Sequence, residues 1–291
     1  MSRSLIDGGI DVIRAYEDAA TAIGRLDASA RVAPAGLREL LVLRCIAAPT
    51  GADHSVMIAL VRPDGEGADP FRSYASAVRT GAARARGGAL PSIASLHELL
   101  TLPMPVWDAS LADNLLRDTH ERTPPVLKAA LAVGSIRAAA VERSESTQLA
   151  QLCALAATFV LCVGGATTDA WLTLPRGAPG ETLRDTFAAL AREARAAERG
   201  LTDAQELFEA DAHRVRESLG RAAYSALDVL GLLHKQIVIT VPETARALGQ
   251  TAPTAGAAVA RLVELGIARE VTGKARSRAF AYEGIVRALA P

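Results

Sequence analysis

The chain has 291 residues, half of them apolar, and its lysines and arginines equal its aspartates and glutamates in number. This length allows a substantial core in one large domain or two, and the charge balance excludes a protein drawn to nucleic acid or membrane by its overall charge. Cys45, Cys153 and Cys162 have no paired spacing, which excludes a disulfide scaffold and suits buried, reduced thiols in a cytoplasmic protein.

No targeting segment is apparent at the N-terminus. The most apolar run, Leu152 to Ala166, is shorter than the roughly 20 residues a membrane span requires and reads as a buried helix. Alanine is abundant and strand-type alternation is nearly absent before Ile237, so a mostly α fold is expected. In chain order, helices are expected over Asp11 to Ala28, Leu37 to Ala47, Phe71 to Arg86 and a segment opening at Pro91-Ser92. An exposed loop is expected over Arg62 to Pro70. The alternate prolines of Thr101 to Asp108 exclude a helix there.

Further helices are expected over Ser110 to Asp118, Pro125 to Val141 and Glu145 to Val163, with a short one over Ala166 to Leu174 and a loop at Pro175 to Gly180. Thr182 to Arg199 then has helical periodicity, and Gly200 reads as its C-cap. Thr202 with Gln205 reads as a capping box that opens a separate helix to Leu219. A boundary at Gly220 divides a helical domain, residues 1–220, from a small one, residues 221–291.

The small domain has the most specific order of signals in the chain. A helix with Ala226, Leu227, Val229, Leu230 and Leu233 on its apolar face precedes the β-branched run Ile237 to Val241. A short helix follows Pro242 and ends at Gly249. Thr251 is placed to N-cap the next helix, whose Val259, Leu262 and Val263 should face the core and whose Thr254, Ala257, Ala258 and Arg261 should face outward. Two strands, Ile267 to Val271 and Ala279 to Tyr282, should pair about Thr272-Gly273-Lys274. This order is that of a winged helix-turn-helix, a module that docks on DNA.

From Tyr224 onward eight basic side chains face five acidic ones, so the positive end of the molecule is here. Lys274, Arg276 and Arg278 at the hairpin are expected to contact phosphates, and Thr251, Thr254 and Arg261 to line a groove. Only Arg261 and Gln250 could make bidentate base contacts, so modest selectivity is expected. A palindromic target would require a homodimer.

The tail also carries a family pattern in Gly266-Ile267, Glu270, Thr272-Gly273-Lys274, Arg276, Arg278 and Phe280. It resembles the C-terminal winged helix of Fic-family proteins. Arg72 to Leu100 and Pro124 to Leu131 are similar, less specifically, to helical segments of that family. The resemblance implies a Fic-like helical bundle, and Fic enzymes transfer AMP to a hydroxyl through a motif of the form H-P-F-x-D-G-N-G-R. After Leu131 this chain instead reads AVGSIRAAAVERSESTQLAQL, with neither the histidine nor the glycines, so no catalytic residue is assigned. An inactive body is implied, and Glu142, Arg143 and Glu145 read as a solvated helix end.

Other chemistries find little support in the residues. No two of the five histidines have metal-ligand spacing, and His97-Glu98 lacks the second histidine of a zinc-protease helix. Asp118, His120 and Glu121 read as exposed. Ser144 and Ser146 lack a nucleophile elbow, and Gly164-Gly165 lacks the lysine of a phosphate loop. Trp107 and Trp171 read as packing anchors. The expectation is thus a DNA-binding regulator of double-stranded DNA with no cofactor and no metal. Its alternatives are a Fic-type AMP transferase with a degenerate site and a protein-interaction module.

Overall fold

The computed structural model describes residues 2–62, 72–87, 123–139, 147–174, 182–274 and 276–291. The expectations for Pro91 to Asp118, for the loops at 63–70 and 175–180, and for Trp107, His97, His120, Glu121 and residues 142–146 lie outside them. Among the described residues the fold is mostly helical with one small antiparallel sheet.

Helix α1 spans Ser2–Val32, α2 Ala35–Thr50, α3 His54–Val61, α4 Arg72–Arg86, α5 Pro125–Ala139, α6 Thr147–Val163 and α7 Leu183–Leu219. Pro49 is tolerated in the last turn of α2, and Asp53 caps α3 by accepting from the Ser55 amide. A short 3-10 turn, Gly220–Ala222, leads into α8, Ala223–Gln236. Then come β1, Val238–Thr240, α9, Val241–Leu248, α10, Ala252–Glu264, β2, Arg269–Glu270, β3, Ala279–Ala281, and α11, Glu283–Leu289. Among the described residues no helix is long and apolar enough to cross a membrane.

Two helical expectations fail. Residues 183–219 form a single helix of 37 residues that runs straight through Gly200. Its buried residues Ala194, Ala197, Leu201 and Ala204 stay in helical phase across the glycine, and the long apolar stripe they form on the core outweighs the local stop signal. Thr202 donates to the Glu198 carbonyl one turn back (3.3 Å), and Gln205 pairs with Glu209, so neither caps a helix. The reciprocal capping box is at the true start, where Thr182 and Asp185 serve each other's amides. Ala166 to Leu174 is not helical either. Ala170, Trp171, Leu172 and Leu174 are all buried in this irregular stretch. Their carbonyls find partners from the side: Thr158 donates to Leu172 (2.9 Å), and the buried Cys45 thiol to Ala170 (3.0 Å).

Gly200 is small because another element passes close by. A Cβ added there would lie 2.6 Å from the carbonyl oxygen of Ala288 in α11. Gly36 meets the end of α8 in the same way, facing the His234 carbonyl and the Ile237 side chain. Gly24, exposed in α1, has nothing within 4 Å of such a Cβ. Two alanine replacements should therefore move stability in opposite directions. Gly24→Ala should gain about 0.5–1 kcal/mol from helix propensity. Gly200→Ala gains the same term but pushes backbone against backbone, and a net loss of about 1–2 kcal/mol is expected from overpacking. Urea midpoints at equal slope measure both; a stabilised Gly200→Ala would show that α11 does not sit where described.

One hydrophobic cluster runs from Ala19 in α1 to Leu289 in α11, so the C-terminal elements share the core of the helical body. Polar groups fix that junction. Arg44 of α2 donates through Nε to Glu193 of α7 (2.8 Å) and through Nη1 to the carbonyls of Leu289 (3.0 Å) and Ala290 (2.6 Å), and it is buried. The Tyr282 hydroxyl donates to Asp211 (2.6 Å); burial first, and then this bond, push the phenol pKa well up, so it stays a donor. His234 stacks on Phe208 with ring centroids 4.0 Å apart, and burial lowers its pKa, favouring the neutral ring.

Candidate nucleic-acid interface

The unit after Gly220 is built as the spacing predicts, helix, strand, helix, helix and hairpin, with the sheet ordered β1-β3-β2. Register pairs Val238 with Ala281 and Ile239 with Phe280, while Arg269 and Glu270 flank the other side of β3. The first strand is shorter than expected. Ile237 has φ 67° and terminates α8, and Val241 already belongs to α9. Helix α9 is capped by Thr240, with Pro242 in its first turn where a missing N–H costs nothing, and it ends at Gly249 in the left-handed region, φ 62°.

Helix α10 is capped by Thr251, whose hydroxyl accepts from the Thr254 amide (3.4 Å) and lies 2.9 Å from the Thr254 hydroxyl. Ala255, Ala258, Val259 and Leu262 form its buried stripe at i, i+3, i+4 and i+7. This corrects two expectations. Ala258 faces the core and is fully buried, whereas Val263, one step of about 100° past Leu262, is 38 % exposed. Thr254, Ala257 and Arg261 fall at i, i+3 and i+7 along one edge; the threonine is exposed and the arginine half-buried. The outermost face is Pro253, Ala257, Ala260 and Glu264, which offers no bidentate donor. Gln250 turns its carbonyl oxygen inward, where it is buried without a partner, so it is not presented for base contact.

The wing is stiffened by a residue to which the sequence reading gave no role. The Glu270 carboxylate accepts from the amides of Thr272 (2.7 Å) and Gly273 (2.9 Å) and from the Thr272 hydroxyl. That hydroxyl in turn accepts from the Ala279 amide across the hairpin (3.3 Å). The Thr272 hydroxyl bond is the chief reason the carboxyl pKa is lowered, so Glu270 remains an acceptor through neutral pH. The signal for this was an acidic side chain two residues before Thr-Gly, a side-chain-closed turn. Lys274, Arg276 and Arg278 are all exposed on this hairpin, and the Arg278 guanidinium sits 5.9 Å over the Phe280 ring.

Behind the sheet, Glu283 receives Arg269 (3.0 Å), Arg287 (2.6 Å) and the His54 ring (3.2 Å). Burial alone would raise its pKa, but the arginine contacts outweigh it and lower the value. Thus Thr251 and Thr254 are brought together at the start of α10, and the three wing cations are gathered on a braced hairpin. Arg261 stands two turns along from Thr254 and is only partly presented. Among the described residues no group of three or more His, Cys, Asp or Glu could hold a metal ion. Burial pushes the Cys153 thiol up to about 12, so it is no nucleophile at neutral pH. No family model matches the chain, and no curated protein does.

Proposed function

We propose that this protein is a DNA-binding regulator, in which the wing and the edge of α10 grip a duplex and the helical body, Fic-like by the resemblance of its tail, acts as a scaffold without transfer chemistry. What supports this most is the braced hairpin carrying Lys274, Arg276 and Arg278 on a unit with the strand order of a winged helix. Electrostatic contact with phosphates is insensitive to sequence and releases counterions.

The test is the affinity of the full chain for a duplex across a series of salt concentrations. Three cations that displace counterions from the duplex predict a slope of about −3 in log K against log salt. Affinity that does not change with salt would sink the proposal. A protein-interaction module is the second reading, favoured by Tyr224 at 79 % and Val263 at 38 % exposure, and failure to bind the duplex at any salt concentration would be its signature.

A further inference from the structure

The arginines of the wing stand out against the plainness of α10. On the outward side of that helix are Pro253, Ala257, Ala260 and Glu264, Gln250 is turned in, and Arg261 is half-buried. Reading bases in the major groove requires side chains with paired donors or acceptors, and this face has almost none. Arg276 and Arg278 are exposed two residues apart on the returning limb of the hairpin. Glu270 and Thr272 close the turn from which they project, and Phe280, buried in the sheet, lies beneath the Arg278 guanidinium. A hairpin of two strands is slim enough for a narrow groove, and its bracing means little entropy is lost on insertion.

We propose, resting on the DNA-binding reading above, that selectivity resides in the wing: Arg276 and Arg278 enter the minor groove, and the protein selects A·T-rich duplexes by their narrow, strongly negative minor groove. Guanidinium groups are less strongly hydrated than ammonium and are favoured where the groove narrows and its potential deepens. The 2-amino group of guanine both widens the minor groove and obstructs its floor. Lys274, by contrast, contributes phosphate contact that is alike for every sequence.

The experiment uses the full chain and three duplexes of one length: an A·T tract, a G·C duplex, and the same G·C sequence with inosine for every guanine. Inosine leaves the major groove unchanged and removes only the minor-groove amino group. Fluorescence anisotropy at fixed salt should place the inosine duplex about tenfold tighter than the G·C one and close to the A·T tract. The double variant Arg276→Ala/Arg278→Ala, checked for folding by circular dichroism, should lose this preference, while Lys274→Ala should weaken all three duplexes alike. Inosine and guanine duplexes bound equally would overturn the proposal, as would a preference that survives loss of both arginines. Binding to none of the three would instead remove the DNA-binding reading on which it rests.

Discussion

Arg44→Met should lower the unfolding free energy by about 3–5 kcal/mol, the cost of leaving one partner of a buried ion pair alone. The arginine is 4 % and Glu193 7 % exposed, so water cannot replace the lost guanidinium. The damage extends beyond the pair, because the same side chain satisfies the carbonyls of Leu289 and Ala290 at the end of α11. Buried carbonyls without donors add their own desolvation penalty. For a chain of this size the melting temperature should fall by roughly 10 °C.

A second variant separates the ionic contribution from the packing one. Arg44→Met combined with Glu193→Leu removes both charges and should recover most of the loss, since a pair replaced by apolar groups of similar volume is often neutral. If the single variant melts with the parent protein, the pair is not buried as described. Should both single and double variants lose equally, the bonds to the Leu289 and Ala290 carbonyls carry the stability instead. Amide exchange in α11 distinguishes that case, because its protection would then fall selectively.

Arg44 also shows where sequence reasoning reaches its limit. Within LLVLRCIAA it is the single charge in an apolar run, which signals a buried partner without naming one. The partner lies 149 residues away, and the carbonyls it serves about 245 away. Local signals fared better. The cap at Thr251, the proline at 242 and the glycine stop at 249 were all legible, because caps and turns are decided by neighbours within four residues. The wing was legible for the same reason.

What failed did so through tertiary packing. Gly200 and Thr202 have the local chemistry of a helix break, yet the stripe that α7 lays on α1 and α11 continues through them. Ile237 is a β-branched residue at positive φ, a conformation costing about 1–3 kcal/mol that no sequence rule anticipates. Its complete burial offsets a comparable amount, about 2–3 kcal/mol, and its carbonyl accepts the Tyr282 amide at 2.9 Å. Ala258 and Val263 were exchanged because apolar residues on both sides of α10 leave the phase of the helix ambiguous. A face of alanines gives no polar marker to orient it.

Alanine at Lys274, Arg276 and Arg278 together should weaken duplex binding by roughly a hundredfold at moderate salt and bring the salt slope from about −3 to near zero. The three side chains are exposed, and only Arg278 touches the core cluster, through the Phe280 ring beneath it, so folding should be little affected. Singly, each replacement should flatten the slope by about one. Glu270→Ala tests the bracing rather than the charge: it deletes an acidic group from the wing, which by charge alone should strengthen binding. It also frees the amides of Thr272 and Gly273 and unties the turn. If the rigid presentation of the arginines matters, affinity should fall despite the gain in positive charge. A rise would show that the hairpin acts only as a carrier of charge, and that the geometry built around Glu270 serves stability alone.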